Sequence, residues 1–546
     1  MKKKYLLCAV VILFITSCSD FLDKDPDPRA DFRTPKQISE LLVYAYNQSN
    51  YALIGELSSD NMIDNTSPDD KGNYQNVSSR DRYHDELFAW EPVVSSTATD
   101  SPSGTWEQCY YAIAIANHAL KAIEKIEADK NNNADVSAQK GEALLSRAYH
   151  HFILVNIFSH AYKDETASQN DLGIPYVTEP ENTVIVHYNR GTVADVYKKI
   201  EKDITDGIDL IDDSSYEVAK YHFNKSAAHA FAARFYLFKR DYAKVIHHAD
   251  IVLGKSPKFR DWKVSLPSNE SHIYWYINAS SANNLLIIPT FSVFNRVFGT
   301  RYGVARDAYN GTLRVGQGPS GRTTSCFSGK TYFRQNQDLG SFLLAAGGEL
   351  FEYTDKVAGI GYPHCVRVEF TTEETLLCRA EAKIHLGLKQ QAIDDFVLYE
   401  ESRNTGNNAI SLSEETITNY FQGGRKGTFY KDLNTEKMSP AWVVDPTVEA
   451  LVHCVLFYRR VETIHNGMRW FDIKRYGIEI AHQIGASKVD TLKWNDERRA
   501  IQIPAEVLSA GVEPNPHPKT TPNNSIIMPV DAFAEFAGSE IDKHEL

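Results

Sequence analysis

Residues Lys225 to Leu253, KSAAHAFAARFYLFKRDYAKVIHHADIVL, constrain what this chain can fold into more than any other stretch. Ala228, Phe231, Ala232, Phe235 and Phe238 recur at helical spacing and put one apolar stripe on the first half. Lys239-Arg240-Asp241 interrupts the pattern, which resumes with Tyr242, Val245, Ile246, Ala249, Val252 and Leu253 and meets a stop at Gly254. Two helices joined by so short a polar turn lie antiparallel. A hairpin of this size cannot bury both faces alone, so other helices must stack on it.

A second copy runs from Glu373 to Tyr399, EETLLCRAEAKIHLGLKQQAIDDFVLY. Leu377, Ala380 and Ile384 form its first stripe, Leu386-Gly387-Leu388 the turn, and Ala392, Ile393 and Phe396 the second stripe. Aligning Leu237 with Leu386 sets Ala243 on Ala392, a small residue just after the turn as in tetratricopeptide-type helix pairs. Trp106 to Ile126 and Val136 to Phe158 read as a further helix pair, and Thr192 to Asp212 and Val448 to Ile464 as single helices. Thr34 and Pro35 open another as cap and first residue. The expected fold is therefore mostly α, an irregular tetratricopeptide-like helix-pair scaffold.

Two regions break the helical texture. Asn50 to Gly104 is rich in Ser, Asp and Asn and reads as loop; from Lys255 to Cys365 helical periodicity disappears, with short strands expected at Ile273–Ile277 and Leu285–Ile288. Long irregular segments inside a compact fold tend to be functional, and both carry aromatic residues. The expected organisation is a leader over 1–17, a tether over 18–33 and one domain over 34–546, with loop-rich insertions near 50–104 and 255–365.

The leader is legible residue by residue. Lys2 to Lys4 precede the apolar run Tyr5 to Ile15, which is too short to span a bilayer. Ile15-Thr16-Ser17-Cys18 resembles a bacterial lipobox, which implies cleavage before Cys18 and its acylation, with more than one chain for stable anchoring. Acidic residues follow at Asp20, Asp23 and Asp25. Beyond the leader no apolar run is long enough for a membrane helix. A net charge of −13 with no basic stripe argues against nucleic acid as a partner. Of the seven Cys, Cys109 and Cys378 sit in helical apolar patterns and read as buried; Cys326, Cys365 and Cys454 show no pairing spacing.

No catalytic constellation emerges. H-E-x-x-H, G-x-S-x-G and the phosphate-cradling Gly-x4-Gly-Lys-Ser/Thr are absent from the sequence. His150-His151 and His247-His248 are adjacent on helices, so the members of each pair point about 100° apart and cannot chelate together. Gly316 to Gly321 matches a dinucleotide fingerprint in letters, but Pro319 and Arg322 to Ser325 do not open an apolar-striped helix. Neither a metal nor a cofactor is expected. The 29 Tyr, 26 Phe and 7 Trp instead suggest ring stacking, because sugar rings present C–H faces to aromatic side chains while their hydroxyls reach Asp, Asn and Arg. Asp60, Asn61, Trp90, Trp262, Trp275, Tyr302 and Tyr309 are the candidate ligand contacts.

Arg459 to Tyr476, RRVETIHNGMRWFDIKRY, carries Glu462, Gly467, Arg469-Trp470, Asp472-Ile473 and Arg475. This resembles the E…G-x-R-W-x-D-(L/I)-x-R signature of the SusD/RagB family. Agreeing in order are the lipobox, TWEQCYYAIAIANHALKAIE at 105–124, Arg147-Ala148-Tyr149 followed by Gly173-Ile174-Pro175-Tyr176, the central hairpin, Arg379 to Ala382, and Ile503-Pro504-x-Glu506. Where family tails commonly end in a QNPGY-like run, this chain has GVEPNPHP and a further polar tail. The resemblance implies a nutrient-binding lipoprotein on the outer membrane, facing the cell exterior. It would do no bond chemistry and would hand an oligosaccharide to a SusC-like TonB-dependent transporter, with peptide capture in the RagB manner as the alternative. A surface glycoside hydrolase is a third reading and a purely structural lipoprotein a fourth. Within the motif, Arg469 and Asp472 at i, i+3 are expected to pair along a helix while Trp470 fills a core site.

Overall fold

The computed structural model describes residues 32–68, 75–181, 188–262, 268–297, 300–304, 318–320, 332–336, 341–403, 409–422 and 431–517. The leader, Cys18 and most of the tether lie outside the described residues, as do Tyr309 and the tail beyond 517.

The central hairpin forms as two helices, Lys225–Lys239 and Tyr242–Leu253. Asn224 caps the first by accepting a hydrogen bond from the Ala227 amide at 3.0 Å. Arg240 ends it in a left-handed conformation, φ 67°, and its guanidinium lies 3.3 Å from the centre of the Trp442 ring. That cation–π contact offsets the strain a non-glycine residue meets there. Asp241 then caps the second helix, which stops at Gly254 with φ 53°. The second hairpin comprises Thr372–His385 and Lys389–Arg403, with Gly387 at φ 75° in its turn.

The hairpins stack in series. Tyr242–Leu253 packs on Thr372–His385, which also packs on Glu449–Glu462. Upstream, Pro102–Ala128, Ser137–Phe158 and Val193–Gly207 pack consecutively. Pro102–Ala128 begins four residues before the expected start because Ser101 caps it with Pro102 at the first position. The two hairpins differ at one aligned position: Ala392 is buried, whereas Ala243 faces solvent and Val245 and Ala249 supply the close contact.

One contiguous apolar core extends from Tyr46 to Ile503, and a smaller cluster holds the capped Pro35–Leu42 helix against Pro102–Ala128. Against the scaffold lies an antiparallel three-stranded sheet ordered Asn284–Thr290, Ile360–Thr371, Leu350–Asp355. Its central strand runs straight into the second hairpin, with Thr371 capping Thr372–His385. A buried ionic network ties these parts together. Arg234 of the first hairpin donates to Glu374 at 2.7 Å and also bonds Glu369; Arg367 stacks 3.7 Å over the Tyr51 ring and donates to Asn50; and Tyr51 donates to Glu369.

Two expectations need correction. Residues 273–276 belong to a helix, Asn269–Tyr276, in place of a strand. Ser268 caps it and Glu270 sits in its first turn, and this local start outweighs the strand preference of the aromatic run. The described residues of the 50–104 region hold helices, Ala52–Ser58, Arg82–Phe88 and the start of Pro102–Ala128, where loop was expected.

Candidate ligand-binding site

Of the candidate contacts, Asn61, Trp90 and Tyr302 are buried, and Asp60 is half-buried. The Asp60 carboxylate accepts from Arg469 at 2.8 and 3.0 Å and from Lys431 at 2.9 Å, and Arg460 stands 3.7 Å away. These three cations hold its pKa well below the usual carboxylate range against the opposing effect of burial. Asn61 accepts from Arg460 at 2.7 Å and donates to Glu56 at 3.0 Å. Trp90 closes the Arg82–Phe88 helix at φ 53°, donates its indole N–H to the Ser58 carbonyl and stacks 4.1 Å from His482. Phe88 covers the other side of that imidazole at 4.1 Å, and Tyr302 donates to Asp85 at 2.6 Å. These groups knit the 50–104 region to the chain's C-terminal half through internal contacts.

The signature residues share this internal role. Arg469 pairs with Asp60, so the expected pairing with Asp472 is replaced by a contact 409 positions away in sequence. Asp472 accepts from Arg459 at 3.0 Å and lies 3.5 Å from Arg475; Arg475 bonds Glu381; and Glu462 bonds Arg403. Trp470 is fully buried. Gly467 takes φ 75°, and a Cβ there would stand 2.9 Å from the Ala52 Cα, which explains glycine at that position.

Trp262 and Trp275 come together, 5.2 Å between ring centroids in an edge-to-face arrangement, and both remain partly exposed. Buried Arg260 fixes the pair. Its guanidinium stands 5.2 Å from the Trp275 ring and 4.2 Å from the Tyr276 ring, while it donates to the Tyr276 carbonyl and to Asn284. Arg403 lies 4.9 Å from Trp262, and exposed Tyr274 is on the same helix as Trp275. This is a preorganised aromatic edge with polar neighbours, as stacking on a sugar ring requires.

Sequence reasoning missed two further features. Phe351, Tyr353 and Tyr362 lie exposed on the edge hairpin of the sheet, with Tyr362 donating to Glu352 at 3.1 Å. Phe351 and Tyr353 alternate in the strand sequence LFEYTD, which a search for helical periodicity passes over. A cavity of about 480 Å³ opens between residues 160–172, Lys437, Lys474, residues 494–499 and Asn515. Its walls come from distant segments, so no local pattern marks it.

His150 and His151 serve structure. His150 accepts the Asn47 amide at Nε2 and donates from Nδ1 to the Ser146 carbonyl; His151 does the same with Val177 and Arg147. Cys109, Cys365, Cys378 and Cys454 are buried free thiols. Among the described residues no cluster of three or more His, Cys, Asp or Glu could hold a metal, and no helix is long and apolar enough to cross a membrane.

Residues 20–237 match the SusD-like family model described as starch-binding associating with outer membrane. In fold the chain is similar to a SusD superfamily protein from Bacteroides thetaiotaomicron, with a TM-score of 0.57 at 18% identity, covering 89% of this chain and all of that one. It is also similar to SusD superfamily proteins from Bacteroides vulgatus (TM-score 0.59, 19% identity, 89% and 100% covered) and Bacteroides fragilis (0.58, 17%, 88% and 99%). Among curated proteins none matches it in sequence.

Proposed function

Starting from a chain that is SusD-like, in family signature over residues 20–237 and in fold over 89% of its length, we propose that it captures oligosaccharides and delivers them uncut to a TonB-dependent outer-membrane transporter. The observation that carries this reading is the family signature, whose description joins starch binding to the outer membrane. Lipid anchoring at Cys18, facing the cell exterior, accords with that description and with the lipobox in the leader. The absence of a catalytic motif in the sequence supports a binding role, and the partner transporter follows from the family resemblance.

Trp262 and Trp275 are the residues assigned to the ligand. A ring laid along their shared edge would stack on indole, with Tyr274 beside it. Isothermal titration of the mature chain against a panel of oligosaccharides tests the assignment. A W262A/W275A variant should bind the preferred glycan at least tenfold more weakly while unfolding at nearly the wild-type temperature. Unchanged affinity in that variant would remove the pair from the site.

A further inference from the structure

We infer that the 480 Å³ cavity is a second binding site, for a sugar-sized molecule bearing a carboxylate. It shares no residue with the Trp262–Trp275 pair, and the argument for it does not depend on that pair.

Charge is the first ground. The protein carries a net charge of −13, yet four cations, Lys163, Lys437, Lys474 and Arg499, face this cavity against two carboxylates. Both carboxylates are engaged: Asp171 with Lys163 at 2.9 Å and Glu497 with His160 at 3.1 Å. The other three cations bond neutral acceptors. Buried Lys474 donates to the carbonyls of Asn156 and Ser159 at 2.6 Å each, closing the C-terminal end of Ser137–Phe158. Buried Arg499 donates to the carbonyls of Lys493 at 2.7 Å and Ile473 at 3.0 Å, the latter in the last turn of Met468–Arg475. Lys437 donates to the Asn434 amide oxygen at 2.7 Å.

Helix C-termini supply only about half a negative charge each, so a protonated Lys474 and Arg499 buried against them leave positive charge over. Burial, with Arg499 repelling it, pulls the Lys474 ammonium down to about 7, and burial pulls the Arg499 guanidinium down to about 10 against the opposing pull of Asp496 and Glu479. An anion seated in the cavity would supply the missing charge.

Shape and lining are the second ground. The volume lies within the range of small-ligand sites, about 300–1,000 Å³, and exceeds what a bare inorganic anion needs. Partly exposed Trp494 lines the cavity together with Asn170 and Asn495, an aromatic residue and two neutral amides. An aromatic side chain, neutral amides and surplus positive charge together suit a hexuronate better than a neutral sugar or a lone ion.

Calorimetric titration of the mature full-length protein with glucuronate, glucose and inorganic phosphate tests this. Glucuronate is expected to bind at least tenfold more tightly than either of the others. K437E, at an exposed lysine, and W494A should each weaken it at least fivefold, and W262A/W275A should leave it unchanged. Glucose binding as tightly as glucuronate, or no glucuronate binding by the folded protein, would overturn the proposal. Phosphate binding as tightly would overturn the assignment of a sugar ring. Loss of glucuronate binding in W262A/W275A alone would return the ligand to the aromatic pair.

Discussion

At the residue scale, polar groups that read as ligand contacts in the sequence turn out to be internal fasteners. Asp60 satisfies three cations and Asn61 a fourth contact, and neither could turn outward without stranding buried charge. His150 shows the same economy and has a measurable consequence. Its Nε2 must stay unprotonated to accept the Asn47 amide, and burial lowers its pKa to about 4 from an unfolded value near 6.5. The unfolded chain therefore takes up a proton that the folded one refuses. Stability is fully present above pH 6.5 and is lost as pH falls toward 4, by about 3 kcal/mol for this one group. Urea unfolding at pH 7 and at pH 4.5 should show that loss in the wild type and a smaller difference between the two pH values in H150Q. An equal pH dependence in the two proteins would contradict it.

At the element scale, backbone contacts decide where the signature motif sits. Gly55 of Ala52–Ser58 and Gly467 before Met468–Arg475 touch through backbone, a Cβ on Gly55 falling 2.3 Å from the Gly467 carbonyl oxygen. G467A adds left-handed strain to a clash with Ala52 and should destabilise by about 3 kcal/mol or more. Gly387 has a like φ but open space around its Cβ position, so G387A should lose only about 1 kcal/mol. Chemical denaturation of the two variants separates these values; equal losses would show that the close approach at Gly467 contributes nothing. The helix pairs are legible because their stripes and some of their caps are local: Gly254 and Thr34 act where the sequence puts them, and Asn224 and Asp241 add caps at the other helix starts. Ala52–Ser58 is not legible, since seven residues buried on every side show no polar face to set a period. Residues 273–276 carry a strand-like aromatic run, and the Ser268 cap decides in favour of helix. Trp262 and Trp275 were legible singly, as aromatic residues in polar surroundings. Their juxtaposition was not, because it depends on Arg260, Asn284 and the fold between them.

At the scale of the whole molecule, a helical scaffold holds a sheet and an aromatic edge in fixed relation, and the leader proposes where that body works. Replacing Cys18 with Ala should shift the protein from the outer-membrane fraction to the soluble fraction on cell fractionation, without changing its glycan affinity; retention at the membrane would contradict lipid anchoring. The central claim is capture without cleavage. Its most direct measurement is calorimetric titration of the purified mature chain with an oligosaccharide panel, followed by chromatography of the recovered sugar. The account predicts saturable heat with at least one glycan and quantitative recovery of that glycan at its original length. Heat with peptides and none with any glycan, or new reducing ends in the recovered sugar, would contradict it.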